Sequence, residues 1–294
     1  MERKVREFIL YLHNTKKTSK NTEVSYERDV KKIISFLSAR GLREMGEVRN
    51  SDLQAYIQEM EKKQFASSSI SRSVASIRAF FQYLYKTGEI QEDPSEDLRP
   101  PKVEKKAPEI LSVEEVDELL RQPRQNTPKG IRDTAMLELL YATGMRVSEL
   151  IHLELQDINL NLGYVTCHER GKERVIPIGN VSRKALLHYV SEARASFAKN
   201  EEETALFTNC NGKPMSRQGF WKVLKGYADD AGIHKDITPH TLRHSFAVHM
   251  LQNGADVKSV QEMMGHSDIS TTQIYLNFNV NKMRDVYMRA HPRH

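Results

Sequence analysis

The sequence predicts a mainly α-helical protein in two domains, the second carrying a small antiparallel β-hairpin. Three observations predict this. Apolar residues recur at spacings of three and four through residues 1–88, the period of one helix face. Prolines and charges interrupt that pattern between residues 93 and 108. Alternation with a period of two shows only between about residues 164 and 178.

The elements follow in order. Val5, Phe8, Ile9 and Leu12 mark a first helix, and Tyr26, Val30, Ile33, Ile34 and Leu37 a second that ends before Gly41. A third is expected to open with Ser51 as its N-cap, since a hydroxyl there can accept from the first free amides. Its inner face holds Leu53, Tyr56, Ile57 and Met60. A fourth opens at Ser67–Ser69, carries Ile70, Val74, Ile77, Phe80, Phe81 and Leu84, and stops at Gly88. Four short amphipathic helices make a small bundle. Pro94, Pro100, Pro101 and Pro108 then remove backbone donors and restrict their neighbours, so residues 93–108 read as a linker. The expected organisation is an N-terminal domain at 1–92 and a second domain at 109–294.

In the second domain Ser112 and Glu115 form a capping box ahead of Val116, Leu119 and Leu120. Ile131, Ala135, Met136, Leu139 and Leu140 mark the next helix, which ends at Gly144. Another is expected from about Val147 to Leu153. Tyr164–Cys167 and Arg174–Ile178 read as two strands around a turn at Arg170-Gly171. Helical patterning resumes near Ser182 and dominates to the end.

With 39% hydrophobic and 28% charged residues over 294 positions, the chain has the composition of a globular protein. No apolar run reaches about 18 residues, so no transmembrane helix is expected. The opening Met1-Glu2-Arg3-Lys4 leads into alternating apolar and charged residues without a signal-peptide pattern, and a cytoplasmic protein is expected. Cys167 and Cys210 form no CxxC pair and read as reduced structural thiols. Residues 1–106 hold 21 Lys+Arg against 16 Asp+Glu, and residues 107–294 hold 23 of each. The net charge of +5 therefore sits in the first third. A basic N-terminal domain suits a polyanion, because each docked Lys or Arg releases condensed counterions from nucleic acid.

Four segments carry chemistry. They are Ala142-Thr143-Gly144-Met145-Arg146-Val147-Ser148-Glu149-Leu150, the Arg170-Gly171-Lys172 turn, Thr238-Pro239-His240-Thr241-Leu242-Arg243-His244, and Met264-Gly265-His266 followed by Thr271-Thr272-Gln273-Ile274-Tyr275. Two arginines can clamp non-bridging phosphate oxygens bidentately, and positioned charge of this kind is usually the largest part of catalysis. A tyrosine hydroxyl, with a free pKa of about 10, needs a base or cationic neighbours to act as a nucleophile. Histidine can move its proton, and lysine can protonate a leaving oxygen. His240 and His244 stand four apart, a spacing that also suits a metal pair. No Glu follows the first His and no carboxylate or Cys cluster completes a ligand set, so no metal or other cofactor is expected. Glu149, three residues after Arg146, is expected to orient a cation. His244 and His249 read as packing or surface residues, His244 being the nearer to the site.

This arrangement resembles the tyrosine recombinase (phage integrase) family, whose signature is Arg, a hairpin Lys, His-x-x-Arg, His and Tyr in that order. The matching positions are Arg146, His240 and Arg243 in Pro-His-Thr-Leu-Arg-His, His266 in Met-Gly-His, and Tyr275 nine residues later. The likeness covers essentially the whole chain, so residues 1–92 are expected to be a SAM-like core-binding domain and residues 109–294 the catalytic domain. The two-domain layout and His240-Thr-Leu-Arg-His-Ser-Phe-Ala-Val-His249 are most similar to the Xer recombinases. Xer hairpins read Gly-Lys-Gly-x-Lys-x-Arg, whereas Glu169-Arg170-Gly171-Lys172-Glu173-Arg174 is one residue shorter. Counted forward from Arg146 the lysine position falls on Arg170. Counted back from Arg174, Lys172 matches the second family lysine. Lys172 is preferred, because arginine holds its proton too tightly for a general acid; Arg170, or no equivalent at all, stays as the alternative.

The resemblance implies a clamp around a duplex recombination site. Tyr275 would attack the scissile phosphate and form a 3′-phosphotyrosyl link. Arg146 and Arg243 would stabilise the transition state with help from His266. His240 would act as base and later as acid, and Lys172 would protonate the 5′-oxygen. It further implies a tetramer, of one chain or with a sister recombinase, passing through a Holliday junction, with a DNA translocase as a candidate activator. A helix around Val286 and Met288 would dock on a neighbouring protomer. The role implied is Xer-type resolution of chromosome or plasmid dimers, against three rival readings: a mobile-element integrase, a type IB topoisomerase, and a DNA-binding regulator without catalysis.

Overall fold

A computed structural model describes residues 2–101, 108–169, 172–198 and 202–265. The chain divides into two units, residues 1–106 and 107–294.

The first unit is a bundle of α1 (Glu2–Asn14), α2 (Lys20–Ala39), α3 (Asn50–Lys62) and α4 (Ser67–Lys86). The stripes read from the sequence face inward: Val5, Phe8, Leu12, Val30, Ile33, Leu37, Leu53, Ile77, Phe80 and Leu84 are all buried. Phe8 packs edge-on against Phe80 at 5.3 Å, and Phe80 likewise against Phe81 at 5.5 Å. Such pairs contribute about 1 kcal/mol each beyond their buried area. Asp29 is buried, and it accepts both Arg72 Nε at 2.9 Å and a second guanidinium nitrogen at 3.2 Å. The bidentate pair offsets the cost of desolvating that carboxylate.

Two starts differ from the sequence reading. Ser51 does not cap α3. The helix opens at Asn50 because the Asp52 carboxylate accepts the Arg49 amide at 3.0 Å, placing the boundary upstream. The beginning of the proline-rich stretch is not free chain. Asp93 accepts the Ser95 amide and hydroxyl at 2.8 and 2.6 Å, Asn50 Nδ2 donates to the Pro94 carbonyl at 2.9 Å, and Leu98 is buried in the bundle core.

The second unit begins with α5 (Val113–Arg121), capped as expected by the reciprocal Ser112–Glu115 bonds at 2.7 and 3.2 Å. Next come α6 (Pro128–Thr143) and α7 (Val147–Leu150), which is shorter than the helix expected to Leu153. The strands β1 (Ile158–Asn159), β2 (Tyr164–Glu169) and β3 (Lys172–Pro177) form an antiparallel sheet in the order β1-β2-β3. Cys167 pairs with Arg174 and Glu169 with Lys172, as two adjacent strands read from the sequence should; the turn expected at Arg170-Gly171 lies outside the described residues. The two-residue β1 is too short to leave a periodic trace.

After the sheet come α8 (Asn180–His188), α9 (Arg217–Asp230), α10 (Pro239–Gln252) and α11 (Val257–Met264). Between α8 and α9 the helical pattern is interrupted. Leu206 and Met215 instead make backbone bonds to Leu153 and Phe207. Arg132 of α6 is almost wholly buried and donates to Asp133 at 2.7 and 2.9 Å and to the Thr208 carbonyl at 3.0 Å, tying that segment to the core. Cys167 is buried and Cys210 exposed; both are free thiols. Burial pushes the Cys167 thiol up to about 12. Among the described residues no helix is long and apolar enough to cross a membrane.

Candidate active site

The site is built where three chain turns meet: the α6–α7 junction, the start of α10 and the end of α11. At the first, Gly144 adopts the left-handed conformation (φ 58°) and its amide closes α6 on the Leu140 carbonyl at 3.0 Å. Glycine is required twice over here. A left-handed φ disfavours a side chain, and a Cβ would stand 2.2 Å from the Phe246 ring. The tight turn lets Arg146 follow immediately as the N-cap of α7. The Arg146 amide donates to Glu149 Oε2 at 2.7 Å, and its guanidinium donates to Glu149 Oε1 at 3.3 Å and to the Gly265 carbonyl at 2.9 Å.

Arg243 reaches the same place from α10. Thr238 and Thr241 cap that helix reciprocally, with bonds of 3.0 and 3.3 Å, and Pro239 occupies its first turn. One turn in, Arg243 is only 4% exposed. Its guanidinium donates to the Gly144 carbonyl at 2.6 Å and to the Met264 carbonyl at 2.7 Å. Arg174, on β3, donates Nε to the Met263 carbonyl at 2.9 Å and its two terminal nitrogens to Glu149 at 2.6 and 2.8 Å.

The carbonyls of Met263, Met264 and Gly265 are thus each bonded by a different guanidinium. These are last-turn acceptors of α11, where a helix leaves carbonyls unpaired and carries the negative end of its dipole. Cations gather there for a local electrostatic reason, and the next residue in sequence is His266. Gly265 is again left-handed (φ 65°), and a Cβ on it would come within 2.7 Å of the Arg174 guanidinium.

Glu149 is the counter-charge. Burial alone would raise its pKa, yet the Arg174 bonds, the Arg146 amide and both positive charges hold it below the ordinary glutamate value. It orients Arg146, as the sequence suggests, and also Arg174, which sequence reasoning passed over. His240 sits in the first turn of α10, and desolvation together with the charges of Arg243 and Arg146 lowers its pKa. It is therefore a neutral imidazole near neutral pH, able to accept a proton. His244, its ring 6.2 Å from that of His240, is pushed down to about 4 by burial, His240 and Arg243. His249 is a packing residue bonded through Nδ1 to the Tyr141 hydroxyl at 2.8 Å.

Of the residues expected to carry chemistry, Arg146, Arg243 and His240 come together. The backbone of Lys172 opens β3, two residues before Arg174. Its side chain, with Arg170, His266 and Tyr275, lies outside what the structure describes.

Comparison with known proteins agrees with this geometry. Residues 109–282 match the phage integrase family and residues 5–88 the phage integrase N-terminal SAM-like domain. The chain is 45% identical over 291 residues to the tyrosine recombinase XerD of Halalkalibacterium halodurans, covering 98% of this chain and 97% of that protein. Among solved structures it is similar to XerA recombinase, at 26% identity and a TM-score of 0.56 with 99% of each chain covered. It is also similar to the XerH site-specific recombinase bound to its palindromic difH substrate in a post-cleavage complex. There the TM-score is 0.74 at 17% identity, over 97% of this chain and 93% of that one, a likeness of fold.

Proposed function

This chain belongs to the phage integrase family of tyrosine recombinases, and we propose that it cuts and rejoins DNA at a specific site in Xer-type recombination. The observation that carries the reading is the convergence of Arg146 and Arg243, both held by backbone carbonyls, beside a neutral His240. Guanidiniums fixed before substrate arrives need not reorganise as charge develops on a phosphate, which is the source of their catalytic effect.

The chemistry is a transesterification. Tyr275 Oη bonds to the scissile phosphorus, and its proton passes to His240. The bond from phosphorus to the 5′-oxygen breaks, and Lys172 protonates that oxygen, with Arg170 as the alternative hairpin acid. Arg146, Arg243 and His266 bond the non-bridging oxygens. The 3′-phosphotyrosyl link retains the bond energy, so a 5′-hydroxyl from the partner duplex reverses the reaction without ATP. Two rounds of exchange pass through a Holliday junction in a tetramer on two DNA sites, formed by this chain alone or with a sister recombinase. A cytoplasmic protein under the control of a DNA translocase is consistent with that role.

The test is covalent trapping on a nicked suicide duplex carrying the recombination site. The parent protein accumulates a protein–DNA adduct, and Tyr275→Phe binds the duplex without forming one. An adduct of equal yield from Tyr275→Phe sinks the assignment. Relaxation of plasmids lacking any site would instead indicate a topoisomerase.

A further inference from the structure

We infer that Arg174 is a positioning residue for strand cleavage: it fixes the β2–β3 hairpin, and with it the hairpin's general acid, against the Arg146–Arg243 pair. The inference rests on the recombinase reading and concerns a residue that reading does not use.

The sheet order places β3 at an edge, with β2 on one side only. Its inner face is held by the buried Ile176 and by the Arg174 side chain. The latter is only 16% exposed, while its neighbour Val175 is 61% exposed. One edge of the guanidinium meets both oxygens of Glu149 at 2.6 and 2.8 Å, and Nε meets the Met263 carbonyl at 2.9 Å. Three bonds to two separate elements leave a planar group little freedom to shift. Glu149 is the same carboxylate that accepts the Arg146 amide at 2.7 Å. The path from hairpin to phosphate clamp is therefore two residues long: Arg174 to Glu149, and Glu149 to Arg146. The second path runs through α11, whose C-cap, Gly265, offers its carbonyl to Arg146 itself at 2.9 Å.

The surroundings are shaped for this group. Gly265 leaves room that a Cβ would fill to within 2.7 Å of an Arg174 terminal nitrogen and 2.9 Å of its Cζ. A lysine at 174 would keep the charge but cannot span Glu149 and Met263 together, since an ammonium is a point donor. Lys172 lies two residues earlier on the same strand, so Arg174, together with the Glu169–Lys172 pairing, holds the backbone that carries the proposed acid.

A purely structural role would weaken every activity alike, and the leaving group separates the two cases. With oxygen at the bridging 5′ position, breaking its bond to phosphorus requires a proton from the hairpin acid. With sulfur there, the Tyr275 Oη–P bond forms, the P–S bond breaks and a thiolate departs without a proton. The experiment measures cleavage of suicide duplexes with bridging 5′-oxygen or 5′-sulfur by the full-length parent, Arg174→Met, Arg174→Lys and Lys172→Ala. Duplex affinity and thermal melting are measured beside it. Both Arg174 variants are expected to bind within about twofold of the parent. They are expected to cut the oxygen duplex about 100-fold more slowly, the scale of lost general-acid catalysis, and the sulfur duplex within about threefold of the parent. Undiminished cleavage of the oxygen duplex, or equal losses on both duplexes, overturns the inference. Rescue of the Arg174 variants but not of Lys172→Ala leaves Arg174 in its role and moves the acid to another hairpin residue. A parent that forms no adduct with either duplex overturns the recombinase reading itself.

Discussion

Replacing Glu149 by glutamine tests whether one buried carboxylate holds the arginine cluster together. Each of its oxygens serves two donors. Oε1 accepts from the guanidiniums of Arg146 and Arg174 at 3.3 and 2.6 Å, and Oε2 accepts from the Arg146 amide and Arg174 at 2.7 and 2.8 Å. Glutamine has one acceptor, so in either orientation its NH2 faces two donors and two bonds are lost. Bonds to a charged group contribute about 1.5–3 kcal/mol each. Arg146 and Arg174 keep some access to water, with side chains 29% and 16% exposed, which returns part of the loss. The expected cost is about 3 kcal/mol, at the lower edge of the range for breaking a buried ion pair. Because the folded-state pKa of Glu149 lies below its ordinary value, its stabilisation is full above the unfolded-state pKa of about 4.3 and is lost as pH falls through the lower folded value. The gap between parent and Glu149→Gln should therefore be constant near neutral pH and narrow only below about pH 4.3. Urea unfolding followed through Trp221, the single tryptophan, reads the catalytic unit directly because that residue stands on α9. A gap below about 0.5 kcal/mol at pH 7, or one that does not narrow in acid, refutes the argument.

Two further outcomes follow from the same geometry. Gly144→Ala should cost about 2–5 kcal/mol, the sum of a left-handed backbone term of about 1–2 and an overpacking term of about 1–3 against Phe246. Gly232→Ala, in the same unit with φ 67° and nothing within 4 Å of its Cβ, should cost the backbone term alone. Equal urea midpoints for the two variants would show that the contact with Phe246 relaxes freely. The second outcome concerns pH. His240 acts as a base only when neutral, and its pKa is lowered, so kcat/KM for cleavage should fall on the acid side with an inflection below the ordinary imidazole value of about 6.5. An acid limb centred at or above 6.5 would contradict His240 as the base of the free enzyme.

The residues proposed to do chemistry stand out in the sequence, and those that hold them in place stand out less. Arg146, His240 and Arg243 announce themselves because a few uncommon residue types recur in one order beside turn-forming glycine and proline. The helices of the N-terminal unit are just as legible, since each buries one stripe, from Val5, Phe8 and Leu12 onward, and leaves the rest to water. Periodicity fails where burial is not one-sided. On α10 the run Thr241, Leu242, Arg243, Ser245, Phe246, Ala247, Val248 and His249 is buried almost without interruption, so no face stands out and only the Thr238-Pro239 start marks the helix. Local rules also fail when a better acceptor stands nearby, as Asp52 displaces Ser51 at the start of α3.

Arg174 shows the deeper limit. Within its own strand it is one charged residue among Lys172, Glu173 and Arg174, and although the family's hairpin pattern ends on it, nothing local says what it touches. Its partners lie 25 residues upstream at Glu149 and 89 residues downstream at Met263, and only the fold brings them within 3 Å. An active site made by several distant segments has to be held by groups whose meaning is tertiary. The reacting groups are constrained by phosphorus chemistry, which is the same wherever it occurs. The groups that position them answer only to the shape of one fold, so a hairpin one residue shorter can keep its chemistry if the fork behind it still closes on Glu149.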